Sequence, residues 1–138
     1  MKQPVFQGVC TAIVTPFTSS GEVNFEAFDR LIDRQLSAGV SAICVCGTTG
    51  ESATLTEKEH GELVDACVHR VGGRAKVVAG TGSNSTAHAL TLSRRAQELG
   101  ADALLLVTPY YNKTTQAGLI QHYTYIADRV DVPVIVYN

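Results

Sequence analysis

A parallel α/β architecture is the fold class this sequence predicts, and three observations predict it. Five short aliphatic runs recur about 30 residues apart, the length of a strand–helix–strand unit. A segment of helical period fills each gap, and hydroxyl side chains gather where the runs end. The runs begin near Cys10, Ala42, Lys76, Ala103 and Val132.

The elements follow in order. After the first run, a helix opens at Asn24, whose side chain suits an N-cap, carries Phe25, Phe28, Leu31, Ile32 and Leu36 on one face and stops at Gly39. The second run holds Cys44 and Cys46, two apart, which on a strand directs both to one face. With Cys10 and Cys67 they read as buried, reduced thiols, because a zinc knuckle needs wider spacing and a second pair. Thr56 and Glu59 form a capping box for the second helix, where Leu63, Val64, Cys67, Val68 and Val71 line one face before Gly72-Gly73 ends it. The third helix runs from Ser85 to Leu99 with Ala89, Leu92, Ala96 and Leu99 inward and Gly100 as terminator. The fourth starts near Thr115 and lines up Leu119, Ile120, Tyr123, Ile126, Ala127 and Val130. Gly39-Val40-Ser41-Ala42-Ile43 is echoed by Gly100-Ala101-Asp102-Ala103-Leu104, each a helix-ending glycine followed by a polar turn and a buried strand.

Composition narrows the function. The chain has 138 residues, 45% apolar and 17% charged, with a net charge of −2. It has no basic run for a phosphate backbone, so nucleic acid is excluded as a partner, and no aliphatic run approaches a membrane span. Met1-Lys2-Gln3-Pro4-Val5 lacks the apolar core of a signal peptide, so the reducing cytoplasm is the expected location. No linker or domain boundary interrupts the chain.

The polar residues concentrate at the carboxyl ends of the strands, where α/β folds bind ligands. They are Thr15-Pro16, Gly47-Thr48-Thr49-Gly50-Glu51-Ser52, Gly80-Thr81-Gly82-Ser83, Thr108-Pro109-Tyr110-Tyr111-Asn112 and Tyr137-Asn138. Two folds fit: a doubly wound sheet of flavodoxin type, with one site at a switch point, or a (β/α)8 TIM barrel with polar residues around its whole mouth. The barrel needs about 250 residues, so this chain would supply five strands and four helices of one.

In Gly47-Thr48-Thr49-Gly50 the glycines let the backbone turn sharply and the paired hydroxyls suit a carboxylate or a proton relay. The absence of a Gly-Lys-Ser/Thr sequence rules out a phosphate loop. Gly80-Thr81-Gly82 reads as a turn. A tyrosine phenol, with a pKa of about 10, passes protons only when bonded to another hydroxyl or to a developing charge, so tyrosines beside threonines suit a relay. His60, His69, His88 and His122 fall on helical segments without metal-ligand spacing and read as surface or packing residues, and Arg94-Arg95 as a solvated face.

At these motifs the sequence resembles the dihydrodipicolinate synthase (4-hydroxy-tetrahydrodipicolinate synthase) family of the pyruvate-dependent class I aldolase superfamily, which includes N-acetylneuraminate lyase. The likeness runs the length of the chain, through Thr11-Ala12-Ile13-Val14-Thr15-Pro16-Phe17, the double-threonine turn, Ala79-Gly80-Thr81-Gly82, Val107-Thr108-Pro109-Tyr110-Tyr111-Asn112 and Val132-Pro133-Val134-Ile135-Val136-Tyr137-Asn138. It implies a TIM barrel of the lysine (diaminopimelate) pathway that condenses pyruvate with aspartate semialdehyde through a lysine Schiff base. No cofactor or metal is implied.

By motif position, Thr48 and Tyr137 would be relay members in one subunit, and Tyr111 the phenol that crosses to a neighbouring subunit. Thr49 would hold the pyruvyl carboxylate. The partners implied are a homodimer or a dimer-of-dimers tetramer. Positions matching the family's lysine effector site are Ser52, Ala53, His60, Asn84 and Tyr110. His88 stands there in place of a carboxylate, and Glu57 where some members carry histidine.

None of Lys2, Lys58, Lys76 and Lys113 stands at a strand end facing a barrel axis, where a Schiff-base lysine must be. In the family that lysine is on strand six. Residues 1–138 therefore read as the N-terminal part of a single TIM-barrel domain, inactive alone. The other readings are a different pyruvate-dependent aldolase, a non-catalytic five-stranded α/β binding module, or two chains pairing to close a barrel.

Overall fold

The computed structural model describes residues 4–138; the sequence reading of Met1 to Gln3, Lys2 included, lies outside the described residues. Five strands, β1 (Cys10–Ala12), β2 (Ala42–Val45), β3 (Lys76–Gly80), β4 (Ala103–Val107) and β5 (Val134–Tyr137), alternate with four helices. The helices are α1 (Phe25–Ser37), α2 (Glu57–Val71), α3 (Thr86–Glu98) and α4 (Gln116–Ala127).

All strand pairs are parallel, and the order across the sheet is β1-β2-β3-β4-β5. Registers such as Cys10↔Ala42, Ile43↔Val77 and Leu106↔Val136 carry the sheet from edge to edge. This sequential order separates the two candidate folds, since a flavodoxin-type sheet runs 2-1-3-4-5 with helices on both faces.

Here the helices share one face. Ile43, Val45, Val77, Ala79 and Leu104 pack with Phe28, Ile32, Leu63, Val64, Cys67 and Ala96 of the helices. Leu106 joins Ala89 and Ile126, which brings α4 onto the same side. The alternate strand residues, Ala42, Cys44, Val78 and Ala103, form a separate cluster with Val5, Phe6, Cys10, Leu105 and Ile135, without a helical residue among them. A sheet that winds one way with every helix outside is a barrel wall.

Helix starts follow their signals. Asn24 accepts from the Ala27 amide, Thr56 and Glu59 close the capping box, and Ser85 and Thr115 cap α3 and α4. The echoed glycines, Gly39 and Gly100, both have positive φ.

Three expectations need correction. The last strand begins at Val134 rather than Val132, because Pro133 has no N–H and contributes only its carbonyl, which accepts from Leu104 at 2.9 Å. Ile120 is 66% exposed, and Ala127 is exposed too. The inner face of α4 centres instead on His122 and Ile126, with the His122 ring accommodated by Thr86 Oγ1 at 2.8 Å from Nδ1. Cys44 and Cys46 do not share a face. Cys46 follows the end of β2 with φ +54°, which turns it into the helix-side cluster while Cys44 stays on the inner side.

Candidate active site

The carboxyl ends of β2, β4 and β5 enclose a cavity of about 510 Å³. Thr48, Glu51, Ser52, Ala53 and Thr54 line it after β2; Val107, Thr108 and Tyr110 after β4; Tyr137 and Asn138 at the end of β5.

The β2 wall is built from two consecutive 3-10 turns, Thr48–Gly50 and Ser52–Thr54, joined by Glu51 in the left-handed region at φ +60°. Its anchor is Thr15, a buried residue beyond β1, whose hydroxyl donates to the Gly50 carbonyl at 2.7 Å. Inside the turn the Gly50 amide reaches the Gly47 carbonyl at 3.0 Å. The turn thereby presents Thr48 to the cavity. Thr49, next in the chain, is exposed and does not line it.

The neighbouring exit, after β3, gives the site backbone rather than side chains. Thr81 Oγ1 lies 2.8 Å from Ser93 Oγ of α3, and both residues are buried. The glycines beside it are steric: a Cβ on Gly80 would collide with the Cys46 carbonyl, and one on Gly82 with the Val107 backbone. Hydroxyls at the β1 and β3 exits therefore hold the structure, and only those of the β2, β4 and β5 exits face the cavity.

Across the cavity, Thr108 sits at a junction. Its amide donates to the Tyr137 carbonyl at 2.8 Å. Its hydroxyl accepts from Tyr123 of α4 at 3.0 Å and lies 3.2 Å from the Tyr137 carbonyl and 3.0 Å from Asn138 Oδ1. Tyr110 lines the cavity, whereas Tyr111 points away with its residue 99% exposed and φ +68°. Positive φ is costly for an aromatic residue. Asn112 donates to the Asn84 carbonyl at 2.7 Å, tying the β4 and β3 exit loops together.

Of the residues singled out in the sequence, Thr48, Ser52, Ala53, Tyr110 and Tyr137 thus meet in one cavity, and Thr49, His60, Asn84 and Tyr111 do not line it. No hydrogen bond joins Thr48 to Tyr137 among the described residues. Glu51, Thr54 and Asn138 also line the wall. Tyr123 joins the network through a contact 15 residues away in sequence, for which no local pattern gives a sign.

His60 is buried behind the site. Its Nε2 lies 2.8 Å from the Gly80 carbonyl, an acceptor, so the proton resides on Nε2 and Nδ1 is left without a partner. Burial pushes its pKa down, opposed by the Gly80 carbonyl and reinforced by His88 and Arg95. Near the surface, His88 Nδ1 stands 3.2 Å from Glu57 Oε1. Burial pushes the thiols of Cys44 and Cys67 up to about 12, and that of Cys46 up as well, which removes them as nucleophiles at neutral pH.

The described lysines stand apart from the cavity. Lys58 pairs with Glu62 at 3.6 Å along α2, Lys76 pairs with Asp102 at 2.7 Å at the amino end of β3, and Lys113 lies in the exposed loop before α4. Among the described residues no group of three His, Cys, Asp or Glu is placed to hold a metal ion, and no helix is long and apolar enough to cross a membrane.

A singly wound parallel sheet, helices on its outer face and a cavity at its carboxyl ends define the class: this is part of the wall of a (β/α)8 barrel, with a cavity at the mouth. Comparison with known proteins gives the family. The model of the Dihydrodipicolinate synthetase family matches residues 5–138, and the chain belongs to that family.

It is 55% identical over 135 residues to the 4-hydroxy-tetrahydrodipicolinate synthase of Thermoanaerobacter sp. (strain X514), an alignment covering 98% of this chain and 45% of the relative. The crystal structure of dihydrodipicolinate synthase from Aquifex aeolicus superposes with a TM-score of 0.93 at 51% identity, over 96% of this chain and 45% of that one. The chloride-inhibited enzyme from Acinetobacter baumannii, solved with pyruvate, gives a TM-score of 0.94 at 45% identity, over 96% of this chain and 45% of that one. The chain therefore spans about 45% of the length of the curated relatives it matches.

Proposed function

We propose that residues 1–138 are the N-terminal part of a single TIM-barrel domain that condenses pyruvate with aspartate semialdehyde in lysine biosynthesis, in the cytoplasm. The observation that carries this reading is the meeting of Thr48 and Tyr137 in one cavity at the strand ends, in a chain whose relatives are 4-hydroxy-tetrahydrodipicolinate synthases.

In the reaction a lysine amine adds to the ketone carbon of pyruvate, and water leaves as the Schiff base forms. Protons must move between nitrogen and oxygen in a site partly closed to solvent. A threonine hydroxyl and a tyrosine phenol, each both donor and acceptor, suit that transfer. Thr48 and Tyr137 supply them from this subunit; Thr49, which does not line the cavity, is assigned the pyruvyl carboxylate by motif position alone.

Tyr111 completes the relay in a neighbouring subunit of a homodimer or dimer-of-dimers. Its full exposure and its positive φ support that role, because an aromatic ring held outward at a conformational cost gains nothing within its own chain. For the effector positions Ser52, Ala53, His60, Asn84 and Tyr110, His88 and Glu57, 3.2 Å apart, depart from the family pattern, and that departure counts against inhibition by lysine.

The Schiff-base lysine, in this reading, belongs to a longer protein, and these residues alone are inactive. Treatment with pyruvate and borohydride tests this by mass. The expected result is an unchanged mass for the 138-residue chain and a reduced pyruvyl adduct on a barrel-length protein carrying it. An adduct on Lys58, Lys76 or Lys113 overturns the assignment.

A further inference from the structure

We infer that Thr108 and Tyr123 are positioning residues for Tyr137, forming a hydrogen-bonded line from the helix layer to the rim of the cavity. The inference rests on the reading of Tyr137 as a relay phenol, and it names what holds that phenol in place.

Among the described residues β5 pairs with β4, the register ending at Val107↔Tyr137. The chain there is fixed by Thr108. Its amide bond to the Tyr137 carbonyl, at 2.8 Å, is one that any residue except proline would make. The hydroxyl adds what the backbone does not. It carries one proton and accepts Tyr123's at 3.0 Å, which leaves its own to be given to the Tyr137 carbonyl at 3.2 Å or Asn138 Oδ1 at 3.0 Å.

Tyr123 in turn is held by packing. Its ring packs against the cluster of Ala89, Leu106 and Ile126 and meets the edge of the His122 ring at 5.2 Å between centroids. The phenol oxygen is therefore a fixed point on α4, and Thr108 transmits its position to the two residues that end the β5 wall. Neither Thr108 nor Tyr123 need exchange a proton with substrate. Their effect is on where the Tyr137 ring stands, and small displacements of reacting groups are costly in rate.

The test compares Thr108→Val, Thr108→Ser, Tyr123→Phe and Tyr137→Phe in a barrel-length protein carrying this chain, with pyruvate KM and kcat measured separately. Thr108→Val and Tyr123→Phe are expected to lower kcat about tenfold with KM for pyruvate unchanged, and Thr108→Ser to restore it. Should Thr108→Val fail to fold, Tyr123→Phe, which removes one exchangeable proton and keeps the ring, decides. If Tyr137→Phe abolishes turnover while Tyr123→Phe and Thr108→Val stay within twofold, the positioning inference is overturned and the relay reading stands. If Tyr137→Phe leaves turnover intact, or the unsubstituted protein has none, the relay reading falls. NMR signals of the Tyr137 ring and the Asn138 carboxamide then judge the line by itself: displacement by Tyr123→Phe supports it, and unmoved signals overturn it.

Discussion

The two walls of the cavity are held in different ways. The β2 wall grows out of a strand whose four residues are all buried, and its double-threonine turn is nailed down by Thr15. The β5 wall ends a strand that runs from half-buried to exposed, and its terminal residues depend on Thr108. A buried hydroxyl with one partner fixes one wall, and a hydroxyl shared among several polar atoms fixes the other. Thr48 thus stands on a turn held by a buried anchor, and the strand end that carries Tyr137 is held by a few polar atoms.

The largest effect that would break this contrast lies under the β2 wall. Ile43 is fully buried between sheet and helices, so Ile43→Ala is expected to cost about 3 kcal/mol in urea unfolding, whereas Val136→Ala on the exposed β5 should cost below about 1 kcal/mol. Equal losses would show that both walls rest on burial.

A smaller effect isolates the anchor. Thr15→Val keeps the shape but strands the Gly50 carbonyl, with an expected loss of about 1.5 kcal/mol. It should also perturb Thr48 signals in NMR more than those of Tyr137, and the reverse order would dissolve the distinction between the walls.

The smallest effect is one of pH. Burial lowers the pKa of His60 and of His122, the first beside the β3 exit and the second between α3 and α4. Below about pH 6.5, the ordinary histidine value, the unfolded chain takes up protons that the folded chain refuses. Stability is therefore full above that pH and declines as pH falls through it. His60→Gln should flatten the urea midpoint between pH 5 and 7, and an unchanged slope would mean that His60 titrates alike in the folded and unfolded chain.

Most of the frame was legible in the sequence because it is written in periodicity and caps. Asn24, the Thr56–Glu59 box and the glycines at 39 and 100 mark their elements without tertiary help. Thr48 and Tyr137 were legible as polar residues at strand ends, and the structure brings both to one cavity. What escaped depends on backbone torsion or on partners far along the chain. Cys46 obeys the two-residue alternation in sequence and leaves it through one positive φ. Ile120 is as apolar as Ile126, and only the packing of α3 against α4 separates an inner from an outer residue. The hydroxyls of Thr15 and Thr81 looked as available as those of Thr48, until their partners Gly50 and Ser93 were in place.

The close passage of the Cys46 carbonyl over Gly80 also limits how this protein can change. Position 80 has no room for a side chain while the chain after Val45 keeps its present path. Any lineage that replaces Gly80 must first redraw the backbone that delivers Thr48, so drift at one strand end is gated by the other. The room at position 80 is thus set by one main-chain carbonyl 34 residues earlier, whatever side chain that earlier residue carries.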